Sequence, residues 1–297
     1  MNRVLLTGSS GFIGRHAVDE LVRLGYEVHV TSRQNKSGLS GVISHQVDLL
    51  DARQTADLLR AIKPTHLIHF AWYVEHGKYR TSLSNLDWVA ASVVLFKSFA
   101  ENGGRRAVFA GTCAEYDWAQ SPLYEDQTPN NPATLYGVCK NSLRQILQKT
   151  ALQCEIEFAW SRIFFLYGPG EHPARLIPSI LLPLLRGQPA TVRAASHVRD
   201  LMHVKDVAAA FVAVLNSSLT GVVNIASGNS AALGDVARCI AELLNRSALL
   251  NIEQSASTSD NPLILTADVT KLRSIGFVPK YALREGLSTL IDPSSGI

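Results

Sequence analysis

Tyr136 and Lys140 stand four residues apart, a spacing that puts both on one face of a helix. A phenol with an ordinary pKa of about 10 is a poor acid–base catalyst at neutral pH. A neighbouring ammonium stabilises the phenolate and lowers that value, so the phenol can give a proton to a carbonyl oxygen or take one from a hydroxyl. Thr112, just past an apolar run, brings a hydroxyl that can hydrogen-bond the same oxygen. Taken alone, a tyrosine and a lysine at this spacing are equally well explained as a pair on a helix surface. Their meaning depends on what the rest of the chain brings to them.

Far upstream, Gly8, Gly11 and Gly14 recur at every third position, with Phe12 and Ile13 between the last two. They lie between a short apolar run at 3–7 and a helical pattern over 12–24 carried by Phe12, Ile13, Ala17, Leu21 and Leu24. Gly8 permits a tight turn, Gly11 admits a close approach to the backbone, and Gly14 lets the helix pack close to the sheet. The helix N-terminus then offers N–H groups and a positive dipole end to the pyrophosphate of a nicotinamide dinucleotide. The second strand closes on Ser32 and Arg33, with no carboxylate for a ribose 2′-hydroxyl. A hydroxyl and a guanidinium suit a 2′-phosphate, which favours NADP and leaves NAD as the alternative. Asp48 and Leu49 close the third strand beside the expected adenine edge. Phe70 and Ala71 close the fourth, where a small residue admits the cofactor backbone.

The elements that position these residues alternate. Strands are expected at 3–7, 27–31, 42–47, 66–71, 106–111 and 155–163, and helices at 12–24, 51–62, 85–101 and 136–152. This is the rhythm of an α/β Rossmann fold, a doubly wound parallel sheet covered by helices. After Gly168-Pro169-Gly170 proline becomes frequent and the rhythm changes. Residues 1–170 read as the dinucleotide-binding domain. Residues 171–297 read as a smaller α/β substrate lobe that closes over a pocket and returns a strand, at 222–226, to the main sheet. Further helices are expected at 177–186, 206–216, 233–244 and 269–275, and a polar loop at 255–261.

Composition narrows the function classes. With 297 residues, 46% of them hydrophobic, the chain can bury a large core. A net charge of +3 without basic runs argues against nucleic acid and suits a small anionic substrate. No apolar stretch approaches the roughly 18 residues of a membrane span, and residues 4–6 are too short for a signal peptide, so a cytoplasmic protein is expected. Cys113, Cys139, Cys154 and Cys239 lack metal-ligand spacing and read as thiols, with no metal site. Cys113 has no histidine at a recognisable spacing, which argues against a thiol nucleophile.

These motifs resemble the extended short-chain dehydrogenase/reductase superfamily, in its nucleotide-sugar epimerase/dehydratase branch, along nearly the whole chain. The resemblance rests on the turn from Thr7 to Gly14, on Asp48-Leu49, on Gly111 to Tyr116, and on Tyr136 to Lys140. It continues through Arg162, Tyr167 to Gly170, Arg199 to Val207, Asn224 to Gly228, and Ala267-Asp268 with Leu272, Gly276, Phe277 and Pro279. It implies that Thr112, Tyr136 and Lys140 are catalytic, that Lys140 also holds the nicotinamide ribose, and that Ile163 lies near the nicotinamide. It implies a nucleotide-diphosphate sugar in the second lobe, with Arg199 and Arg175 the candidates for its phosphates. Trp72, Cys113 and Glu115 are the other candidate substrate residues, with Tyr73 and His76 either lining the sugar or packing a loop. Glu115 and His172 read as hydrogen-bonding residues ahead of a second acid–base role, and His203 as structural. The branch further implies a homodimer through the helices at 85–101 and 136–152, with Val93 and Leu143 outward.

The departures from the pattern are informative. The branch's 4,6-dehydratases follow the threonine with an Asp-Glu pair; here Cys113 and Ala114 fill those places, which argues against dehydration. Its epimerases commonly retain NAD and carry the acidic residue replaced here by Ser32-Arg33. The expectation is therefore an NADP-dependent reductase of a nucleotide-linked 4-keto-6-deoxy sugar. An NAD-retaining epimerase and a non-catalytic NADP sensor are the alternatives.

Overall fold

The computed structural model describes residues 2–33, 40–253, 258 and 261–291. The loop expected at 255–261 therefore lies outside the described residues except for Thr258 and Asn261. The first half alternates as β1 (Arg3–Thr7), α1 (Gly14–Arg23), β2 (Glu27–Ser32), β3 (Val42–Gln46), α2 (Ala52–Ile62), β4 (His66–His69), α3 (Ser84–Glu101), β5 (Arg106–Thr112), α4 (Leu135–Gln153) and β6 (Glu157–Ile163). The second half contains β7 (Phe165–Tyr167), α5 (Leu176–Leu185), β8 (Ala190–Val192), β9 (Val198–His203), α6 (Val204–Leu215) and β10 (Gly221–Ile225). It ends with β11 (Ser230–Ala232), α7 (Leu233–Leu243), β12 (Leu250–Ile252), β13 (Ile264–Leu265), α8 (Thr270–Ser274) and α9 (Leu283–Ser288).

The main sheet is seven-stranded and parallel throughout, in the order β10-β6-β5-β4-β1-β2-β3. Alternation along β1 shows how it is covered. Val4 and Leu6 join the cluster under α1 and α6, with Ala17, Leu21, Val207 and Phe211. Leu5 points to the opposite cluster under α2, α3 and α4, with Leu59, Phe96, Leu143 and Leu147. Strand order reverses between β1 and β4, so their carboxyl ends open a crevice at the switch point.

Local chemistry sets the element ends that matter for the crevice. Helix α1 stops at Leu24, followed by Gly25 at φ +78°. Asp51 caps α2 by accepting from the Arg53 and Gln54 amides. Thr134 caps α4 by accepting from the Gly137 amide, which places Tyr136 in the first turn and Lys140 in the next. β4 ends at His69, two residues sooner than its apolar run suggests, with the Phe70 amide making the last ladder bond to the Thr7 carbonyl.

Beyond residue 170 the chain divides its elements between two cores. Helix α6 covers one face of the main sheet and β10 adds its seventh strand. A smaller sheet forms as β11-β9-β13, with β7 beside β9, and β8 pairs with β12. Helices α5, α7 and α9 pack there on their own cluster around Leu181, Leu184, Val236 and Ile240. Sequence reading missed these strands because they are short and β9 carries buried Arg199, Asp200 and His203 in place of an apolar run.

Candidate active site

A cleft of about 1470 Å³ runs along the carboxyl ends of the strands. Gly8, Gly11, Phe12, Ile13, Gly14, Ser32, Arg33, Asp48 and Leu49 line one part of it; Phe70, Ala71, Thr112, Tyr136, Lys140 and Ile163 continue the wall, and Arg175 and Arg199 line it from the second lobe. The glycine turn fits a pyrophosphate. Gly8 sits at φ +72°, and a β-carbon there would come within 2.8 Å of the Ala71 nitrogen. A β-carbon on Gly14 would overlap the Gly8 carbonyl, so the helix can follow the turn this closely only without one. No side chain caps α1; its Arg15 and His16 amides donate to the Gly11 and Ile13 carbonyls, and the turn from Gly11 to Gly14 lines the cleft at the helix N-terminus. Arg15 ties this helix start to the loop after β7 by donating to the Pro169 carbonyl at 2.6 Å.

Below the turn, His69 bridges three elements. Its Nδ1 lies 2.7 Å from the Thr7 hydroxyl and its Nε2 3.0 Å from the Ser92 hydroxyl. Burial first, and then the charge of Lys140, pushes its pKa down to about 3, so the ring is neutral.

The three residues proposed to do chemistry line the same cleft. The Thr112 hydroxyl stands on the Tyr136 side of the cleft and acts to lower the phenol's pKa, and Tyr79 packs edge-on against the Tyr136 ring at 5.0 Å. The Lys140 ammonium is buried. It donates to the Ala110 carbonyl at 2.9 Å and lies 3.7 Å from the centre of the Trp72 ring. The electrostatics differ from the expectation that lysine would depress the phenol. Burial raises the Tyr136 pKa above its ordinary value, outweighing the lowering by Thr112. Burial likewise pulls Lys140 down to about 7, with Glu115 opposing. Two groups removed from water both shift toward their neutral forms.

Glu115 corrects another expectation. It has no exposed surface and does not face the cleft. Its carboxylate accepts from the Thr112 amide at 2.8 Å, the Trp160 indole at 2.9 Å and the Arg162 Nε at 2.8 Å. Arg162 is equally buried, and its guanidinium stacks over Tyr116 at 4.0 Å. The Thr112 hydroxyl in turn accepts from the Ala114 amide, completing a reciprocal cap of the short 3-10 turn at Cys113–Glu115. The signal was present in the sequence, a threonine followed three residues later by a glutamate.

Other candidates fall into place unevenly. Trp72 lines the cleft, but its indole donates to Asn85 and its face covers Lys140, so it is a wall of the lysine site. Cys113 is buried, and burial pushes its thiol up to about 12. Arg199 reaches the cleft with its two terminal nitrogens occupied by Asn261 and by the Val198, Pro262 and Leu263 carbonyls. It thereby holds the segment at 261–263 as a wall. Arg175, at the start of α5, is half-buried in the lining. His203 is buried and caps α6. Leu143 is a core residue, and the outward apolar side chains of α3 and α4 include Leu86, Val138 and Ile146. Sequence reading missed Tyr79, Arg80 and Trp88 in the lining. Arg80 accepts the Tyr136 amide with its carbonyl, a contact no local pattern announces.

Two measurements check this geometry. Glu115→Gln leaves a buried guanidinium without its counter-charge and should cost roughly 3–5 kcal/mol in urea unfolding; a loss below about 1 kcal/mol, the range of an exposed ion pair, would contradict the burial described. Lys140 gives a pH signature. Between pH 7 and 9 the unfolded lysine is protonated while the folded one is neutral, so stability rises with pH by about 1 kcal/mol per unit. From about pH 8 the buried Cys113, and above about pH 9 the buried Tyr136, oppose the trend. Lys140→Met should flatten the slope between pH 7 and 9, and an unchanged slope would show that Lys140 carries a normal charge when folded.

Residues 4–226 match the NAD dependent epimerase/dehydratase family. UDP-glucuronic acid decarboxylase 5 of Arabidopsis thaliana is 26% identical over 307 residues, spanning 96% of this chain and 87% of that one. The dTDP-4-dehydro-6-deoxyglucose reductase of Escherichia coli is 26% identical over 308 residues, spanning 98% and 96%. The crystal structure of UDP-glucose 4-epimerase from Thermus thermophilus in complex with NAD superposes with a TM-score of 0.84 at 25% identity, covering 98% of each chain. With the glycine turn and the parallel sheet in place, and Thr112, Tyr136 and Lys140 lining one cleft, the chain belongs to the NAD dependent epimerase/dehydratase family, within the extended short-chain dehydrogenases/reductases.

Proposed function

We propose that this protein is an NADP-dependent reductase of a nucleotide-linked 4-keto-6-deoxy sugar. The observation that carries the reading is that Thr112, Tyr136 and Lys140 line one cleft with Ser32 and Arg33. The relative named as a dTDP-4-dehydro-6-deoxyglucose reductase, matched end to end, supports it. A bound nicotinamide supplies the hydride. Tyr136, kept protonated by burial, donates its proton to the keto oxygen, and Thr112 orients that oxygen. Lys140 holds the nicotinamide ribose and, when charged, favours the phenolate left after proton transfer. Ser32 and Arg33 meet the 2′-phosphate. Cys113 and Ala114, standing where an elimination would need two carboxylates, offer no acid–base pair for dehydration. Arg175 contributes charge to the substrate diphosphate, whereas Arg199 acts by holding the wall at 261–263.

We further propose a cytoplasmic homodimer through the outward faces of α3 and α4, where Leu86, Val138 and Ile146 are exposed. No described helix is long and apolar enough to cross a membrane.

The test is NADPH oxidation across dTDP-, CDP-, GDP- and UDP-linked keto sugars. Tyr136→Phe should lower kcat by about 100-fold or more, the range of general acid catalysis, while NADPH affinity stays within about 2-fold. Full turnover by the variant would remove Tyr136 as the acid. Stoichiometric NAD released from the denatured protein would favour a cofactor-retaining epimerase instead.

A further inference from the structure

Outside the lining of the cleft, the loop between β4 and α3 touches the loop between β7 and α5. The contact is a face-to-face pair of exposed imidazoles, His76 and His172, with ring centres 4.8 Å apart and planes inclined by 17°. Two arginines flank it. Arg80 lies on the His76 loop, lines the cleft, and accepts the Tyr136 amide with its carbonyl. Arg175 stands at the first turn of α5, three residues after His172, and donates its amide to the His172 carbonyl. The His172 Nδ1 accepts from the Ala174 amide at 3.2 Å, which leaves Nε2 to carry the outward proton.

The charges around this pair share one sign. His76 is held below the ordinary histidine value by desolvation, then by His172, Arg175 and Arg80, and no carboxylate among the described residues offsets them. On its own loop, Glu75 is engaged by Lys78 at 2.6 Å and by the Tyr73 hydroxyl. Glu171, the carboxyl beside His172, has its pKa pushed up to about 7 by burial, with Arg175 opposing, so it is a weak counter-charge. Two arginines and two histidines thus converge at the mouth of a cleft that leads to Tyr136, and their mutual repulsion is relieved by an anion.

We propose that His76, Arg80, His172 and Arg175 form an anion-binding rim that clasps the two loops around the diphosphate of the substrate. The rim's ligand class rests on the nucleotide-sugar reading above. Because Arg80 is joined through its backbone to the first turn of α4, an anion held on the rim also steadies Tyr136. An anion held on the rim relieves the repulsion that keeps His76 below the ordinary histidine value, so binding is tighter where His76 is protonated.

The test uses protein loaded with NADPH, so that the glycine turn is filled, labelled with 15N in its histidines and titrated with inorganic pyrophosphate at pH 6 and pH 8. Saturable shifts of the His76 and His172 imidazole signals are expected, with affinity roughly 10-fold higher at pH 6. The double variant His76→Phe/His172→Phe keeps two stacked rings and experiences the same change in ligand ionisation, so it should lose most of that pH dependence. Unmoved imidazole signals, or an unaltered pH dependence in the double variant, would overturn the rim. Orthophosphate binding as tightly as pyrophosphate would overturn the diphosphate assignment, and dTDP or UDP binding tighter than pyrophosphate would support a nucleotide-linked source. The two readings fail separately. A rim that binds pyrophosphate in a protein that oxidises NADPH with no keto sugar refutes the reductase, and turnover without imidazole shifts refutes only the rim.

Discussion

Beneath the strand end that carries Thr112, Glu115 and Arg162 form an ion pair with no access to solvent. Removing two charges from water costs several kcal/mol each, and their attraction offsets this only when every remaining lone pair and proton is engaged. Here the carboxylate takes the Thr112 amide, the Trp160 indole and the Arg162 Nε, and the guanidinium reaches Asn130 and stacks on Tyr116, although its Nη1 has no hydrogen-bond partner among the described residues. The pair thereby fixes four pieces of chain: the end of β5, the 3-10 turn after it, the adjacent strand β6, and the loop that precedes α4. Thr112 and Tyr136 can line one cleft because their supports are held by one buried contact.

The same exclusion of water explains the protonation states above it. Tyr136 and Cys113 are pushed up, while Lys140 and His69 are pulled down. Each shift runs toward the neutral form, as burial dictates. A phenol that keeps its proton is suited to donate it once negative charge develops on a nearby oxygen. Lys140, near the midpoint of its titration at neutral pH, is sensitive to any charge brought beside it. Glu115 supplies one such charge from below. The positive charge that polyanionic ligands require lies farther out, on Arg33, Arg80 and Arg175.

The second lobe is interlaced with the first. Asp200 accepts from the Ser227 amide and hydroxyl and from the Gly228 amide, joining β9 to the turn after β10. Asp206 on α6 accepts the Lys280 and Tyr281 amides near the C-terminal end of the described chain. Asn224 on β10 accepts from the Tyr116 hydroxyl and donates to the Leu123 and Asp268 carbonyls. These buried polar side chains link segments far apart in sequence, so the cleft walls are positioned by the main sheet as much as by the smaller one.

The sequence by itself determined the dinucleotide turn, the parallel sheet and the helix that carries Tyr136 and Lys140. Those features are local: glycine spacing, apolar periodicity and a four-residue step act within one or two elements and need no distant partner. It also contained the threonine–glutamate cap that removes Glu115 from the substrate face, a local signal that competed with the assumption that polar residues near a pocket point into it. Only the tertiary structure decided that Lys140 lies against Trp72, that Arg199 is committed to the segment at 261–263, and that Arg80 and His76 meet His172 and Arg175. Each depends on partners brought together by chain crossings, and on loops whose residue types follow no period. The burial that shifts Lys140 and Tyr136 toward their neutral forms belongs to the same class, because the loss of water around a side chain is a property of the packed whole.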